Sequence, residues 1–451
     1  MRFSAAFAVF LPALILWSPA PLRAEDEVLR LYGEPTSYTD VIDALDGEDP
    51  FDFNVRVGFE RRVTLGTVER EDPRANAHGT ENFLDVANHE HVRNTLMLGV
   101  DIGLYRDLAL FARFPIVLSD DRSLSLPANV DAADVADTLS ETGPTGTEPL
   151  FSVPFQSPTR SGLDYFSLGL AYAIFNQYRD PHFPTWIWMI EGQIAVGEPM
   201  NPCFDVQPAT ASARCYGGTD PGASEGLHGL RIETRASKRY RYLEPYMGFA
   251  VWLRWPGPSS DLFSPGGDLE GFLHTTPPTE ASVTLGTAII PWENRGRSQR
   301  VALDLRGKAD YVSEGRSFSP LFDALGTSQN DALRTATLEC PTCTASVAFS
   351  GLTDTQAHAR LGGRAAIEIQ AAQYIRFVLG GALAFSPPYY LTYADACNVS
   401  ITASTGDPRQ GACRTGITNP HHRSVIDTPG KRFRLREEIS FDLFATAIAQ
   451  F

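Results

Sequence analysis

The sequence predicts an all-β chain whose strands form a membrane-spanning, antiparallel up-and-down barrel. Three observations predict this fold class. About twelve segments alternate apolar side chains with polar or small ones at a period of two, which in a strand sends successive side chains to opposite faces. Each segment has the ten or so residues that a tilted strand needs to cross a bilayer. The connections alternate between short and long, as they do in a barrel with turns on one side of the membrane and loops on the other.

Each predicted strand has one apolar face and one polar face. In the segment at 299–312, Leu303 and Leu305 share one face, whereas Arg306 and Lys308 share the other. A soluble β-sandwich is the alternative, but that fold gives no reason for every long loop to lie at one end. The predicted strands lie at about 51–63, 92–105, 107–118, 163–175, 185–197, 227–238, 242–254, 280–292, 299–312, 356–370, 373–386 and 432–451.

The first 24 residues have the composition of a signal peptide. Arg2 is followed by an apolar run over 5–17, and small residues lead to Ala24. This order predicts cleavage after Ala24. An N-terminal membrane anchor is the alternative, but the apolar run is shorter than the ~20 residues of a spanning helix. The predicted parts of the chain are a signal peptide at 1–24, a periplasmic N-terminal segment at 25–50 and the transmembrane barrel at 51–451.

Two stretches outside the predicted strands favour short helices. In the N-terminal segment, Tyr38 to Leu45 predicts about two helical turns, placed in the periplasm or tucked into the lower barrel opening as a partial plug. In an outer loop, Val130 to Glu141 predicts a helix with an acidic face. We expect this second helix to lie solvated over the barrel mouth.

The last predicted strand ends on Phe451. Its apolar residues alternate up to that terminal phenylalanine, as in Ile439, Phe441 and Leu443. In this the sequence resembles the C-terminal strand of bacterial outer-membrane β-barrels. The resemblance implies a place in the bacterial outer membrane among outer-membrane lipid, and recognition of this strand by the barrel-assembly machinery. It covers the whole mature chain as a pattern and identifies no subfamily.

The charge of the chain limits its partners. The formal charge is −16, and loss of Arg2 and Arg23 with the signal peptide makes it −18. A charge of this sign argues against nucleic acid or an anionic bilayer surface as a partner.

Six cysteines fall as three local pairs, each within one predicted outer loop. An even number in an exported chain predicts disulfides. Nearest-neighbour pairing needs no loop to cross another, although other pairings remain formally open. The Cys-x-x-Cys spacing at 340–343 also serves redox and zinc motifs, but no second such motif lies nearby. The predicted pairs are Cys203 with Cys215, Cys340 with Cys343, and Cys397 with Cys413.

The predicted inner face carries too many charges to pack dry, because an unpaired ion in a low-dielectric interior is strongly destabilising. One interpretation is a passive or facilitated diffusion channel for small polar solutes, selected by lumen width and charge. Another is a closed structural or surface-interaction barrel, filled by ion pairs and displaying disulfide-braced loops. About twelve strands do not decide between them. The residues predicted to line the lumen are Asp304, Arg306, Lys308, Arg360, Arg364, Glu368, Arg434 and Arg436.

A lipid-modifying hydrolase of the outer membrane is the third class. His89 and His91 share one face near the outer end of the second strand, and His421 and His422 lie in the last outer loop. Neighbouring imidazoles can bind a metal, but histidine pairs in loops are usually solvated, and no serine or aspartate is spaced against them as in outer-membrane phospholipases. The sequence therefore predicts no catalytic residue, no metal site and no cofactor.

Overall fold

The computed structural model describes the barrel and parts of its loops. The described residues are 36–41, 52–71, 83–128, 130–140, 149–204, 214–215, 220–258, 261–263, 272–333, 349–399 and 417–451. The predicted signal peptide lies outside these ranges, as do Cys340, Cys343 and Cys413.

In the described part of the chain, twelve long strands form one closed antiparallel sheet. Each strand pairs with the next in the chain, and the last pairs with the first. The predicted barrel is confirmed, and every predicted segment overlaps one observed strand. The strands are β1 Phe53–Glu71, β2 Phe83–Tyr105, β3 Leu108–Ser125, β4 Tyr165–Phe175, β5 Thr185–Ala195, β6 Leu227–Ser237, β7 Leu243–Pro256, β8 Glu280–Asn294, β9 Gln299–Val312, β10 His358–Ala372, β11 Ile375–Ser386 and β12 Phe433–Gln450.

Short elements occupy the loops. The helices of the described ranges are α1 Ala132–Ser140 and α2 Phe322–Gly326, with 3₁₀ turns at Asp261–Phe263 and Arg295–Arg297. Short strands lie at Phe155–Gln156, Arg160–Leu163, Cys203–Phe204, Arg214–Cys215, Gly315–Ser317, Thr353–Thr355, Tyr389–Tyr390, Cys397–Asn398 and Ile417–Thr418. None of the described helices is long and apolar enough to cross a membrane.

The outer wall of the barrel is apolar and exposed. Leu285 is 59% exposed and Leu443 is 64% exposed, as suits side chains that face lipid. A closed sheet also satisfies its own backbone hydrogen bonds, which hydrocarbon cannot do. Exposed aromatic side chains mark the strand ends beside the short turns, namely Tyr105, Tyr172, Tyr242, Trp292 and Tyr374. The protein is therefore a β-barrel of the membrane-spanning type, with its short turns at the end that the sequence predicts to be periplasmic.

The outer loops fold over the barrel mouth and share one apolar core with the upper strand ends. We call this assembly the outer cap. The first two strands, of 19 and 23 residues, extend beyond their predicted ends and carry the cap above the bilayer. Its strand-end core residues are Val68, Val86, Leu124, Phe433 and Leu435, and its loop core residues include Val135, Leu139, Leu150, Leu325, Leu391 and Ile426.

The helix predicted in the second outer loop is confirmed as α1, but its position differs from the expected one. Val135 and Leu139 are buried in the outer cap, so one side of α1 is packed and not solvated. The alternation of these apolar residues with aspartates gives the helix the amphipathic pattern that such packing needs.

The described cysteines fit the predicted pairing in one loop. Cys203 lies directly opposite Cys215 in a two-stranded ladder. Neither Cys203 nor Cys397 is a free thiol. The three pairings nevertheless stay predictions, because Cys340, Cys343 and Cys413 lie outside the described residues and only the backbone of Cys215 is described.

Candidate functional site

The N-terminal segment enters the periplasmic half of the barrel lumen. The buried carboxylate of Glu244 on β7 accepts hydrogen bonds from the Thr36 backbone N–H at 3.0 and 3.2 Å and from Ser237 Oγ at 2.9 Å. The Ser37 N–H donates to Glu368 on β10 at 3.4 Å. Residues 36–41 form turns and a bend instead of the helix predicted from Tyr38. The rest of that predicted helix lies outside the described residues.

Tyr38 fixes this segment against the wall. Its ring stacks on Tyr246 with centroids 4.1 Å apart. Arg235 and Arg306 lie over the same ring, with guanidinium carbons 4.9 and 4.7 Å from its centroid. Arg235 also donates to the Tyr38 carbonyl at 3.0 Å. Cation–π contacts of this kind are each worth about 0.5–2 kcal/mol, so the segment is held in place.

An ion-pair network ties the segment to the lower wall. Arg376 donates to Asp40 at 2.7 Å and lies 3.7 Å from Glu368. Arg300 reaches the same Glu368 carboxylate at 3.2 Å. Residues 36–41 and these side chains together occupy the periplasmic end of the lumen.

The middle of the lumen is open to water. The side chains of Arg62, Lys308 and Arg231 are 49%, 46% and 39% exposed, although all three point into a closed barrel. Side chains in a dry, filled barrel are buried instead. The exposure therefore indicates a charged chamber, accessible to water, between the N-terminal segment and the outer cap.

Most of the inward charged side chains of this chamber form ion pairs with a side chain on the same strand or on an adjacent strand. Ion pairs link Arg113 with Asp101 at 2.7 Å, Arg62 with Asp442 at 2.7 Å, Arg231 with Glu233 at 2.8 Å, Lys308 with Asp310 at 2.8 Å and Arg306 with Asp304 at 2.6 Å. Pairing holds the long side chains against the wall.

Two inward arginines of β10 differ from most of the other inward charges. Among the described residues, neither Arg360 nor Arg364 has a carboxylate at ion-pair distance. The strand neighbour of Arg360 is Asp310, which is bound to Lys308. At about 3.3 Å per residue, the two arginines lie about 13 Å apart along the wall. Their uncompensated positive charge favours anions in the chamber.

The outer cap is braced by buried polar contacts. Arg160 pairs with Asp323 of α2 at 2.5 Å, and both side chains are at most 4% exposed. In the last outer loop, Asp427 accepts hydrogen bonds from the backbone N–H groups of Arg423 at 2.7 Å and Ala394 at 3.2 Å. Burial raises the pKa of the Asp427 carboxyl to about 7.

The raised pKa of Asp427 leads us to expect that the stability of the outer cap depends on pH. Asp427 binds a proton more tightly in the closed cap than in an opened one, so its stabilisation is present at low pH and is lost as pH rises from about 4 to 7. We expect Asp427→Asn to flatten this loss. Hydrogen exchange of the loop amides between pH 4 and 8 would measure it, and an equal slope in both proteins would contradict the assignment.

The structure places the eight predicted lumen residues in two groups. Six lie on the inner face, alternating with exposed leucines such as Leu305 and Leu361. These six are Asp304, Arg306 and Lys308 on β9 and Arg360, Arg364 and Glu368 on β10.

For Arg434 and Arg436 the structure differs from the expected inward orientation. The strand alternation puts them on the face opposite the lumen, where they pair with Glu69 at 2.5 and 2.6 Å. The cause is an extra residue in β12 near Glu437, whose φ is 53°. Such a bulge exchanges the two faces of the strand, so Leu435 turns into the cap core instead.

The histidines considered for catalysis lie in two separate places, on β2 and in the outer cap. His91 Nε2 lies 3.1 Å from Asp120 on the inner wall, and His89 beside it is 5% exposed. His421 is buried in the outer cap, where burial holds its pKa well below the usual range. Within the described ranges no group of three or more histidine, cysteine or carboxylate side chains could hold a metal.

No family model matches the sequence, and no curated protein matches it. The chain is similar to several solved structures. An outer membrane channel from Pseudomonas putida F1 has a TM-score of 0.39 at 10% identity, covering 93% of this chain and 99% of that one. A FadL homologue of Pseudomonas aeruginosa has a TM-score of 0.35 at 8% identity, covering 93% of both chains. The outer membrane protease OmpT of Escherichia coli has a TM-score of 0.26 at 8% identity, covering 89% of this chain and 97% of that one.

Proposed function

We propose that the barrel is a diffusion channel for small polar solutes, closed at rest by the outer cap and by residues 36–41. The observation that supports this most is the hydrated chamber, in which charged side chains remain exposed inside a closed barrel. Passage requires both barriers to move, and neither is part of the barrel wall. Such a channel selects solutes by their charge and by the width of the lumen and needs no catalytic residue. Both the paired and the unpaired charged side chains of the lumen are consistent with this role.

The unpaired arginines predict that the open channel prefers anions. In a planar bilayer under a salt gradient, we expect the reversal potential to indicate anion selectivity. The double change Arg360→Gln with Arg364→Gln should shift it towards zero or reverse it, because it removes the positive charges that no carboxylate offsets.

Arg436→Gln supplies a matched control for this prediction. It is the same substitution at a basic residue predicted to line the lumen, but its ion pair with Glu69 and the bulge near Glu437 support a position outside the lumen. Its reversal potential should equal that of the unaltered protein. An equal shift in both variants would contradict the proposed lumen.

A closed surface-interaction barrel is the second candidate. The observation that favours it is the extensive apolar core of the outer cap, which exceeds what a simple pore requires. Absence of current from a protein shown to be folded by circular dichroism and heat-modifiable gel migration would reject the channel and favour this candidate.

A further inference from the structure

We propose that Arg364 and Phe444 form a subsite in the lumen for a small organic carboxylate with an apolar body. The subsite deepens the proposed function, since it rests on a channel that brings solute into the chamber. The two side chains meet on the inner wall between β10 and β12, where a cationic group adjoins an apolar patch.

Arg364 supplies the cationic part. Its guanidinium carbon lies 4.1 Å from the centroid of the Phe444 ring, and its Nε is buried without a hydrogen-bond partner among the described residues. An arginine with unsatisfied donors favours a planar acceptor, because its rigid fork matches the two oxygens of a carboxylate. Because Arg364 contributes a single positive charge, the expected ligand is a monoanion.

The inward carboxylates Asp304 on β9, Glu60 on β1 and Asp442 on β12 are committed to other partners. Asp304 is bound to Arg306 at 2.6 Å. Glu60 and Asp442 are both bound to Arg62, at 3.0 and 2.7 Å. These pairs leave the two terminal nitrogens of Arg364 available to a solute.

Phe444 supplies the apolar part. Its half-buried ring packs against a cluster of inward side chains made by Ala366, Val378 and Ile448. Gly380 lies opposite it on β11, where a Cβ atom would be 2.6 Å from Phe444 Cζ. The glycine therefore lets the ring lie flat against the wall. An apolar patch beside a cation recognises an anion that carries its own apolar surface.

Benzoate and acetate test the two parts separately. Binding to the detergent-purified full mature chain would be measured by isothermal titration calorimetry, which needs no current. We expect benzoate to bind more tightly than acetate, and benzylamine not to bind. Arg364→Gln should weaken benzoate binding about tenfold or more, as loss of a charged hydrogen bond does. Phe444→Ala should lower the benzoate-to-acetate ratio about threefold while leaving acetate unchanged.

Arg360→Gln is the control, because Arg360 is also unpaired and points inward but has no aromatic contact in the described structure. It should change ion selectivity and leave benzoate affinity unchanged. Equal loss of benzoate binding in Arg360→Gln and Arg364→Gln, or no benzoate binding to the folded protein, would overturn the subsite. Benzoate binding by calorimetry together with absence of current would retain the subsite and reject the channel, so the two failures are distinguishable.

Discussion

Replacement of residues 36–41 by a glycine–serine sequence of equal length is expected to increase the open time of the channel about tenfold or more. The segment is held by Glu244, Glu368, Arg376 and the Tyr38 stack. Each of these contacts stabilises the closed lumen relative to an open one. Their removal shifts the population towards the open state, which single-channel recording measures directly.

A replacement of the exposed turn at 180–182 provides the control for this prediction. That turn also lies on the periplasmic side, but its residues are exposed and outside the lumen. Its open time should match that of the unaltered protein. An unchanged open time in the 36–41 variant would show that this segment does not obstruct flow.

Asp323→Ala is expected to open the outer cap. The change leaves Arg160 as a buried cation without its carboxylate, and it removes the acceptor for Ser157 Oγ at 2.8 Å and the Cys203 N–H at 2.9 Å. Breaking a buried ion pair in this way lowers the stability of the folded cap by about 3–5 kcal/mol. Cap opening should therefore become at least about a hundredfold more frequent. Hydrogen exchange of cap amides would report this.

Asp180→Ala is the matched control. Asp180 also contacts a basic side chain, that of His182, but the Asp180 side chain is 51% exposed. A surface pair contributes little, so this variant should exchange like the unaltered protein. If both variants exchanged equally slowly, Arg160 and Asp323 would not brace the cap.

The barrel was predictable from sequence because each strand faces lipid on one side and water on the other. Apolar and polar residues therefore alternate along the strand with a period of two. The outer cap was not, since its core gathers single apolar residues such as Val68, Leu139 and Ile426 from distant loops without any period. Even the pattern of β12 was misleading. Leu435 and Phe441 are separated by an even number of residues, so a regular strand would put both on the same face. The bulge near Glu437 instead turns Leu435 inward and leaves Phe441 outward.

The candidate site was predictable in part. Strand alternation placed Arg360 and Arg364 on the inner face, but whether each had an ion-pair partner depends on the register between strands, which composition does not give. Insertion of the N-terminal segment into the lower barrel opening was one of the two positions expected from the sequence, but the residues that it contacts there had no sequence signal. Thr36 meets Glu244 across 208 residues of chain, and a contact of that separation arises from the closed barrel alone.

The seam between β1 and β12 sets the order in which this protein can be assembled. Phe53 and Phe451 exchange two backbone hydrogen bonds of 2.9 Å, so the first and final strands meet only after the whole chain has been delivered. Until then both strands are open edges that invite pairing with other chains, which is a reason for assistance during insertion. Residues 36–41 precede β1 but contact β7, β10 and β11, so the N-terminal segment reaches its position only once those late strands are in place. Sealing of the seam and occupation of the lumen are therefore among the last events in the maturation of the protein.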